Sequence, residues 1–214
     1  LVGDLVVLEH LAPALSPYTG TIGKALLSTV PNAATVLLKT GKFGGEYRIP
    51  QLEVIAGEER FTTVHREYGL RLQVDLSRAY FSSRLGFERY RVAASVLDGE
   101  MVVDMFAGVG PFSLLIAKLR HARVYAVDIN PDMVLFINRR IHNDDVRNVS
   151  TVLAPPDDPL LPQASIDRFF ICDTWHHIEK QDGIVDLSYA SCGGRKGAID
   201  RYVIDGEEST GVGS

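Results

Sequence analysis

The sequence has little that would mark a secreted, membrane-bound or metal-stapled protein. Cys172 and Cys192 are the only cysteines in 214 residues, too few for a disulfide framework and without zinc-site spacing. No window approaches the ~18 consecutive apolar residues that a spanning helix needs. No basic segment leads into an apolar run, so nothing argues for export. Charge of one sign is also lacking: 22 Lys and Arg stand against 27 Asp and Glu, net −5, which excludes a uniformly basic chain. These absences predict a reducing, cytoplasmic setting, no membrane partner and a monomer.

What is present is a globular composition, 46% hydrophobic and 23% charged, in a chain long enough to bury a core unaided. The charges are unevenly placed. Residues 39–91 carry ten basic and seven acidic residues, and eight of the ten are arginines. The planar guanidinium suits phosphate. The other half, residues 101–214, is acidic, with 11 basic and 16 acidic residues. A basic stripe beside an acidic half is compatible with a structured RNA substrate, and equally with an ordinary solvated surface. The chain opens at Leu1 without a methionine, which suggests a piece of a longer protein.

Residues 1–8, 34–39, 46–55, 63–67 and 70–76 read as strands, with a helix over 19–29 and a hairpin turn at Tyr68-Gly69. Strict alternation in Leu70-Arg-Leu-Gln-Val-Asp-Leu76 predicts one buried and one wet face. From about Ser82 the pattern changes to a helix stopped by Asp98-Gly99, then strand 101–106, helix 111–119, strand 123–128, helix 131–142, and strands 149–153 and 167–172. This βαβα order implies an α/β fold: a doubly wound, mostly parallel, Rossmann-like sheet preceded by a small α+β domain. The expected domains are 1–78, 79–200 and a frayed tail over 201–214. The segment 154–163, with four prolines, reads as a surface loop.

The chemistry concentrates in Val102-Val-Asp-Met-Phe-Ala-Gly-Val-Gly-Pro-Phe112. A buried strand ends near Asp104. Phe106, Gly108 and Gly110 then form a tight turn into a helix N-terminus, the first βα turn of a nucleotide-type fold. The dinucleotide pattern G-x-G-x-x-G is absent, because Ser113 holds the third glycine position. The next strand, Val124-Tyr-Ala-Val-Asp-Ile-Asn-Pro131, ends in Asp128 about twenty residues on, where a carboxylate accepts hydrogen bonds from a ribose diol. Ile129 adjoins it. The two motifs at this spacing point to S-adenosylmethionine in a class I methyltransferase fold.

Asp104-Met-Phe-Ala-Gly-Val-Gly-Pro-Phe112 and Asp128-Ile-Asn-Pro131 resemble the tRNA (guanine-37 N1)-methyltransferase family and its wybutosine-synthesis relatives. So do Leu38-Lys-Thr-Gly-Lys42, Gly45-Glu-Tyr-Arg48, His65-Arg-Glu67 and Tyr80-Phe-Ser-Ser-Arg-Leu-Gly-Phe-Glu-Arg89, so that the resemblance runs over about residues 1–150. It implies Glu88 as general base for guanine N1–H, Arg89 beside the cofactor and Arg48 on the target guanine. Those roles are chemically sound. Guanine N1 is protonated at neutral pH, so a carboxylate must take the proton as the methyl group arrives. A guanidinium fork fits O6 and N7. Tyr80 would stack on a splayed base. The resemblance implies a separate N-terminal domain, which is expected to lie outside these residues.

Downstream the sequence departs from the family. The third strand runs into Ala154-Pro155-Pro156, so Asp157 comes late as the acid for the adenine end. Where the family has Asn-Leu-Pro after its fourth strand, this chain has Cys172, Asp173 and Thr174, expected to line the substrate pocket. His176 and His177 diverge on a helix and make a poor metal site. The expectation is therefore N1 methylation of guanosine 37 in tRNA with S-adenosylmethionine. The alternatives are transfer of the aminocarboxypropyl group of the same cofactor, or a non-catalytic RNA- or cofactor-binding remnant.

Overall fold

The computed structural model describes residues 1–41, 51–162, 164–172, 186, 191 and 199–202. The chain divides into two compact units, Leu1–Phe87 and Glu88–Ser214.

In the first unit β1 (Leu5–Leu8) lies parallel to β2 (Thr35–Lys39), and β3 (Leu52–Gly57) is antiparallel to β2. The connection from β1 to β2 passes through a 3-10 turn at Pro13–Tyr18 and α1 (Thr19–Thr29). Gly23 lets α1 come down onto β3: a Cβ there would meet Ala56 Cβ at 2.8 Å. A second sheet is the two-stranded ribbon β4 (Thr62–Glu67) and β5 (Leu70–Asp75). Its turn residues Tyr68 and Gly69 have φ of 45° and 73°, the left-handed pair that a two-residue hairpin requires. The alternation of β5 is realised, with Leu72 and Val74 fully buried and Arg71 and Gln73 exposed.

The second unit has a five-stranded parallel sheet. It is built from β6 (Met101–Met105), β7 (Arg123–Asp128), β8 (Val149–Leu153), β9 (Arg168–Cys172) and β10 (Ile199–Tyr202) in the spatial order β10-β9-β6-β7-β8. Helices α2 (Gly86–Ser95), α3 (Pro111–Arg120) and α4 (Pro131–Asn143) precede or connect the strands. Val103, Met105, Val127, Ile166, Phe169 and Ile171 form a buried cluster around the central strands. Successive strands run outward from β6 to β8, then start again on its other side with β9. The switch point lies between β6 and β9, and open α/β sheets bind ligands there, beyond the carboxyl ends of the strands. Residues 199–202, which span the expected boundary between the second domain and the tail, pair with β9 in parallel register. Long-range hydrogen bonding holds this segment, which local composition does not report.

Candidate active site

The turn after β6 is held by backbone hydrogen bonds and left-handed residues. Phe106, Gly108 and Gly110 have φ of 61°, 56° and 75°. Ala107 N–H donates to Val127 O of β7 at 3.0 Å, and Gly110 N–H donates to Ala107 O at 2.8 Å. Phe106 is the exceptional member, a bulky residue in a region that L side chains rarely occupy, and such strain clusters at ligand sites. Gly110 caps α3, and Pro111 fits the first helical position because its missing N–H would have no partner there.

Two carboxylates stand behind this turn. Asp128, 7% exposed, accepts Gly108 N–H on Oδ2 at 2.8 Å and Asn130 N–H on Oδ1 at 2.8 Å. One side chain thereby clamps the glycine turn to the start of α4. Burial pushes its carboxyl above the ordinary range, against the backbone donors that favour the ionised form. Asp104, 2% exposed, accepts both Ser113 N–H at 3.0 Å and the Ser113 hydroxyl at 2.5 Å on Oδ2. Burial drives it from 3.8 up to about 7, offset by the two Ser113 bonds and reinforced by the negative charge of Asp128.

The consequence for stability has a definite sign. Over the window from about pH 4 to about pH 7 the folded protein holds a proton on Asp104 that the unfolded chain has released. This contribution is therefore complete below the ordinary value of 3.8 and lost as pH rises to about 7. Asp104→Asn keeps an acceptor for Ser113 and should flatten that limb, a difference on the order of a few kcal/mol. Chemical denaturation of parent and variant at about pH 5 and about pH 8 measures it. Parallel pH dependence of the two proteins would show that Asp104 does not titrate there.

α2 supplies the other polar groups. Arg89 is 1% exposed, its guanidinium carbon 6.0 Å from the Phe112 ring centroid at the start of α3. The Phe112 ring in turn packs on Phe170 of β9 at 4.7 Å. Glu88 is half-buried. Arg91 donates to its Oε2 through Nε at 2.8 Å and also lies 2.7 Å away through Nη2. Among the described residues no hydrogen bond falls on Glu88 Oε1.

Residues 63–179 match the TRM5/TYW2 methyltransferase domain, and residues 1–60 match the TYW2 N-terminal domain. This chain belongs to the TRM5/TYW2 family. It is 42% identical over 153 residues to the tRNA (guanine(37)-N(1))-methyltransferase Trm5b of Pyrococcus abyssi, covering 72% of this chain and 46% of that protein. The chain thus spans about half the length of the curated relatives it matches. The structure of aTrm5 with tRNALeu superposes with TM-score 0.74 at 33% identity, covering 87% of this chain and 55% of that one. TYW2 of P. horikoshii with MeSAdo gives 0.68 at 28% identity, covering 89% and 66%.

The residues of this TRM5/TYW2 site fit S-adenosylmethionine on their own chemistry. Among the described residues a Cβ built on Gly108 meets no atom within 4 Å, so these residues leave space over the turn. A carboxylate can take about four hydrogen bonds, so Asp128 retains acceptor capacity for a diol. Ile129, next in sequence to Asp128, is half-buried, and half-buried Phe106 packs against the core cluster around Val103, Met105 and Val127. Parallel register aligns Asp128 with Leu153 of β8, and Ala154 N–H donates to Asp128 O at 3.1 Å. Ala154, not an acid, therefore adjoins Asp128, and Asp157 lies exposed in the loop beyond. Asp158 is engaged in its own turn, accepting Leu160 N–H at 2.8 Å. Cys172 ends β9, half-buried, on the side of β6 away from β7. Tyr80 lies in the first unit, 47% exposed, next to buried Phe81. Arg48, Asp173, Thr174, His176 and His177 lie outside the described residues. Among the described residues there is no group of three or more metal-ligating side chains.

Two partnerships were missed in the sequence. Ser113 looked like a lost glycine but spends its N–H and hydroxyl on Asp104. A serine nine residues after a strand-end acid was the available signal. Arg91, one turn beyond Glu88, carried the i, i+3 signal of an ion pair. Arg89 packs inward and does not lie on a solvated helix face.

Proposed function

We propose that this protein is an S-adenosylmethionine-dependent tRNA methyltransferase acting on N1 of guanosine 37. The observation that carries the reading is the Asp128 clamp on the glycine turn at the sheet's switch point, joined in sequence to a helix bearing Glu88 and buried Arg89. Relatives about 40% identical are named for this reaction. Asp128 and Ile129 would hold the nucleoside, with Asp104, Phe106, Gly108, Gly110 and Arg89 around the remainder and Asp157 as the late acid. When bound, the cofactor supplies a methyl group on a sulfonium.

The chain's own residues handle the proton and the base. Glu88 accepts the guanine N1 proton through Oε1 while Arg91 holds Oε2, so the N1 lone pair is freed as the methyl arrives. Arg48 pairs with the guanine edge and stabilises charge developing on O6. Tyr80 stacks on a displaced base, and Cys172 and Asp173 line the pocket. The substrate is tRNA, met by a monomer in the cytoplasm; among the described residues no helix is long and apolar enough to cross a membrane.

A second reading rests on residues 1–60, which match the TYW2 N-terminal domain. It is aminocarboxypropyl transfer from the same cofactor. Incubation with a tRNA transcript and S-adenosylmethionine, followed by nucleoside mass spectrometry, decides between them. The expected product is a guanosine heavier by one methyl group. A mass gain of one aminocarboxypropyl group establishes the second reading, and unmodified RNA overturns both.

A further inference from the structure

Asp104 and Asp128 are two buried carboxylates behind one turn, and among the described residues no ion pair falls on either. Asp128 gives one oxygen to Gly108 N–H and the other to Asn130 N–H. Asp104 is held differently. Both Ser113 donors converge on its Oδ2, and among the described residues no hydrogen bond falls on its Oδ1. An ionised carboxylate there keeps one oxygen without a donor, whereas a protonated one carries its hydrogen on that oxygen. Burial beside a second carboxylate favours the protonated form.

The surroundings of Asp104 agree with this. On either side in the sheet it meets uncharged residues, Ala126 of β7 and Phe170 of β9. Of the titratable residues of β9, Arg168 is paired with Glu100 and Cys172 ends the strand. α3 presents the Ser113 donors, and the buried cation of α2, Arg89, is set 6.0 Å from the Phe112 ring centroid. The charge that acts on Asp104 among the described residues is the negative one of Asp128, and burial with that charge holds its carboxyl up at about 7. A positive charge arriving at the turn would reverse the balance, because an opposite charge favours the ionised carboxylate. The proposed cofactor brings one on its sulfonium. Methyl transfer turns that sulfonium into a neutral thioether and leaves the other charges of the molecule as they were.

We propose that Asp104 releases its proton to solvent when S-adenosylmethionine binds and holds one when S-adenosylhomocysteine is bound, so that the site tells cofactor from product by the charge on sulfur. One proton leaves the carboxyl oxygen as one positive charge enters, and the buried charge is conserved. The coupling rests on the reading of this turn as a cofactor site and adds to it a means of favouring exchange of product for cofactor.

The test is calorimetric titration with S-adenosylmethionine and with S-adenosylhomocysteine at about pH 6, in buffers of different ionisation enthalpy, which counts the protons released. The expected result is release of more than about half a proton with S-adenosylmethionine and close to none with S-adenosylhomocysteine. Affinity for S-adenosylmethionine should rise severalfold between about pH 5.5 and about pH 6.5, while affinity for S-adenosylhomocysteine stays nearly level. D104N should abolish the release. S113A removes a donor that favours the ionised form, so the pH at which release disappears should move up; a role confined to packing would leave it in place. Equal release with both ligands, or none with S-adenosylmethionine, would overturn the coupling. So would undiminished release from D104N, which would assign the proton to Asp128. If D104N does not fold, an unchanged pH profile in S113A has the same force. A parent that binds neither ligand overturns the reading of the cofactor site and the coupling with it, whereas binding without proton release overturns the coupling alone.

Discussion

Glu88→Gln should slow the single-turnover transfer step by ~10²–10⁴, the usual worth of a positioned base. It should leave both ligands bound. The side chain sits in the first turn of α2, half-buried, with Arg91 on Oε2 and no hydrogen bond on Oε1 among the described residues. Glutamine keeps the length and an oxygen for Arg91, so the geometry survives while the capacity to take a proton is lost. Enzyme in excess over tRNA isolates the chemical step from product release. A variant that transfers at the parental rate would remove Glu88 from the role and leave solvent, or Asp173, to take the proton. Arg91→Ala makes a useful companion: it frees the carboxylate to rotate, so its effect separates orientation from proton acceptance.

Asp128→Ala should weaken S-adenosylmethionine binding by about 1.5–3 kcal/mol, the range for hydrogen bonds to a charged group, or roughly tenfold to 150-fold. The structure adds a second expected effect. The carboxylate also accepts the N–H groups of Gly108 and Asn130, so its removal leaves two backbone donors without their partner. Leaving such donors unmade costs about 1–3 kcal/mol each where water cannot reach them, and the melting temperature should fall as well. Asp128→Asn tells the two effects apart. It retains one acceptor for the turn, so it should recover much of the stability while still binding the cofactor less tightly. Calorimetric titration of all three proteins reads the affinity, and unchanged affinity in Asp128→Ala would take the ribose assignment away from this residue.

The loss of the expected acid after β8 and of Asn-Leu-Pro after β9 bears on how strongly the site binds, more than on what it is. The turn, the clamp and the α2 residues all lie upstream of both changes. Ala154 adjoins the Asp128 backbone, so under the proposed function the adenine end of the pocket would rely on Ile129, other apolar surface and the exposed Asp157. Apolar burial can substitute in part for a lost hydrogen bond, at about 25 cal/mol per Å² of surface removed from water.

The sequence by itself determined the local elements and the chemical vocabulary. The β6-turn-α3 unit, the strand ending at Asp128 and the Tyr68-Gly69 hairpin follow from short-range rules: buried apolar runs, left-handed glycines, proline at a helix start. Each can be read within a dozen residues because its cause acts within a dozen residues. Only the tertiary structure decided the rest. That Ser113 serves Asp104, that Arg89 turns inward and that β10 extends the sheet beyond β9 are all facts of packing and hydrogen bonding. The fate of the arginine stripe is the clearest case. Among the described arginines, Arg89 is buried, Arg60 and Arg91 are paired with carboxylates, and Arg66 lies opposite Arg71 in the β4–β5 register, and that placement depends on contacts between residues distant along the chain. Composition reports how much charge a segment carries; the strand register decides which of it faces a partner.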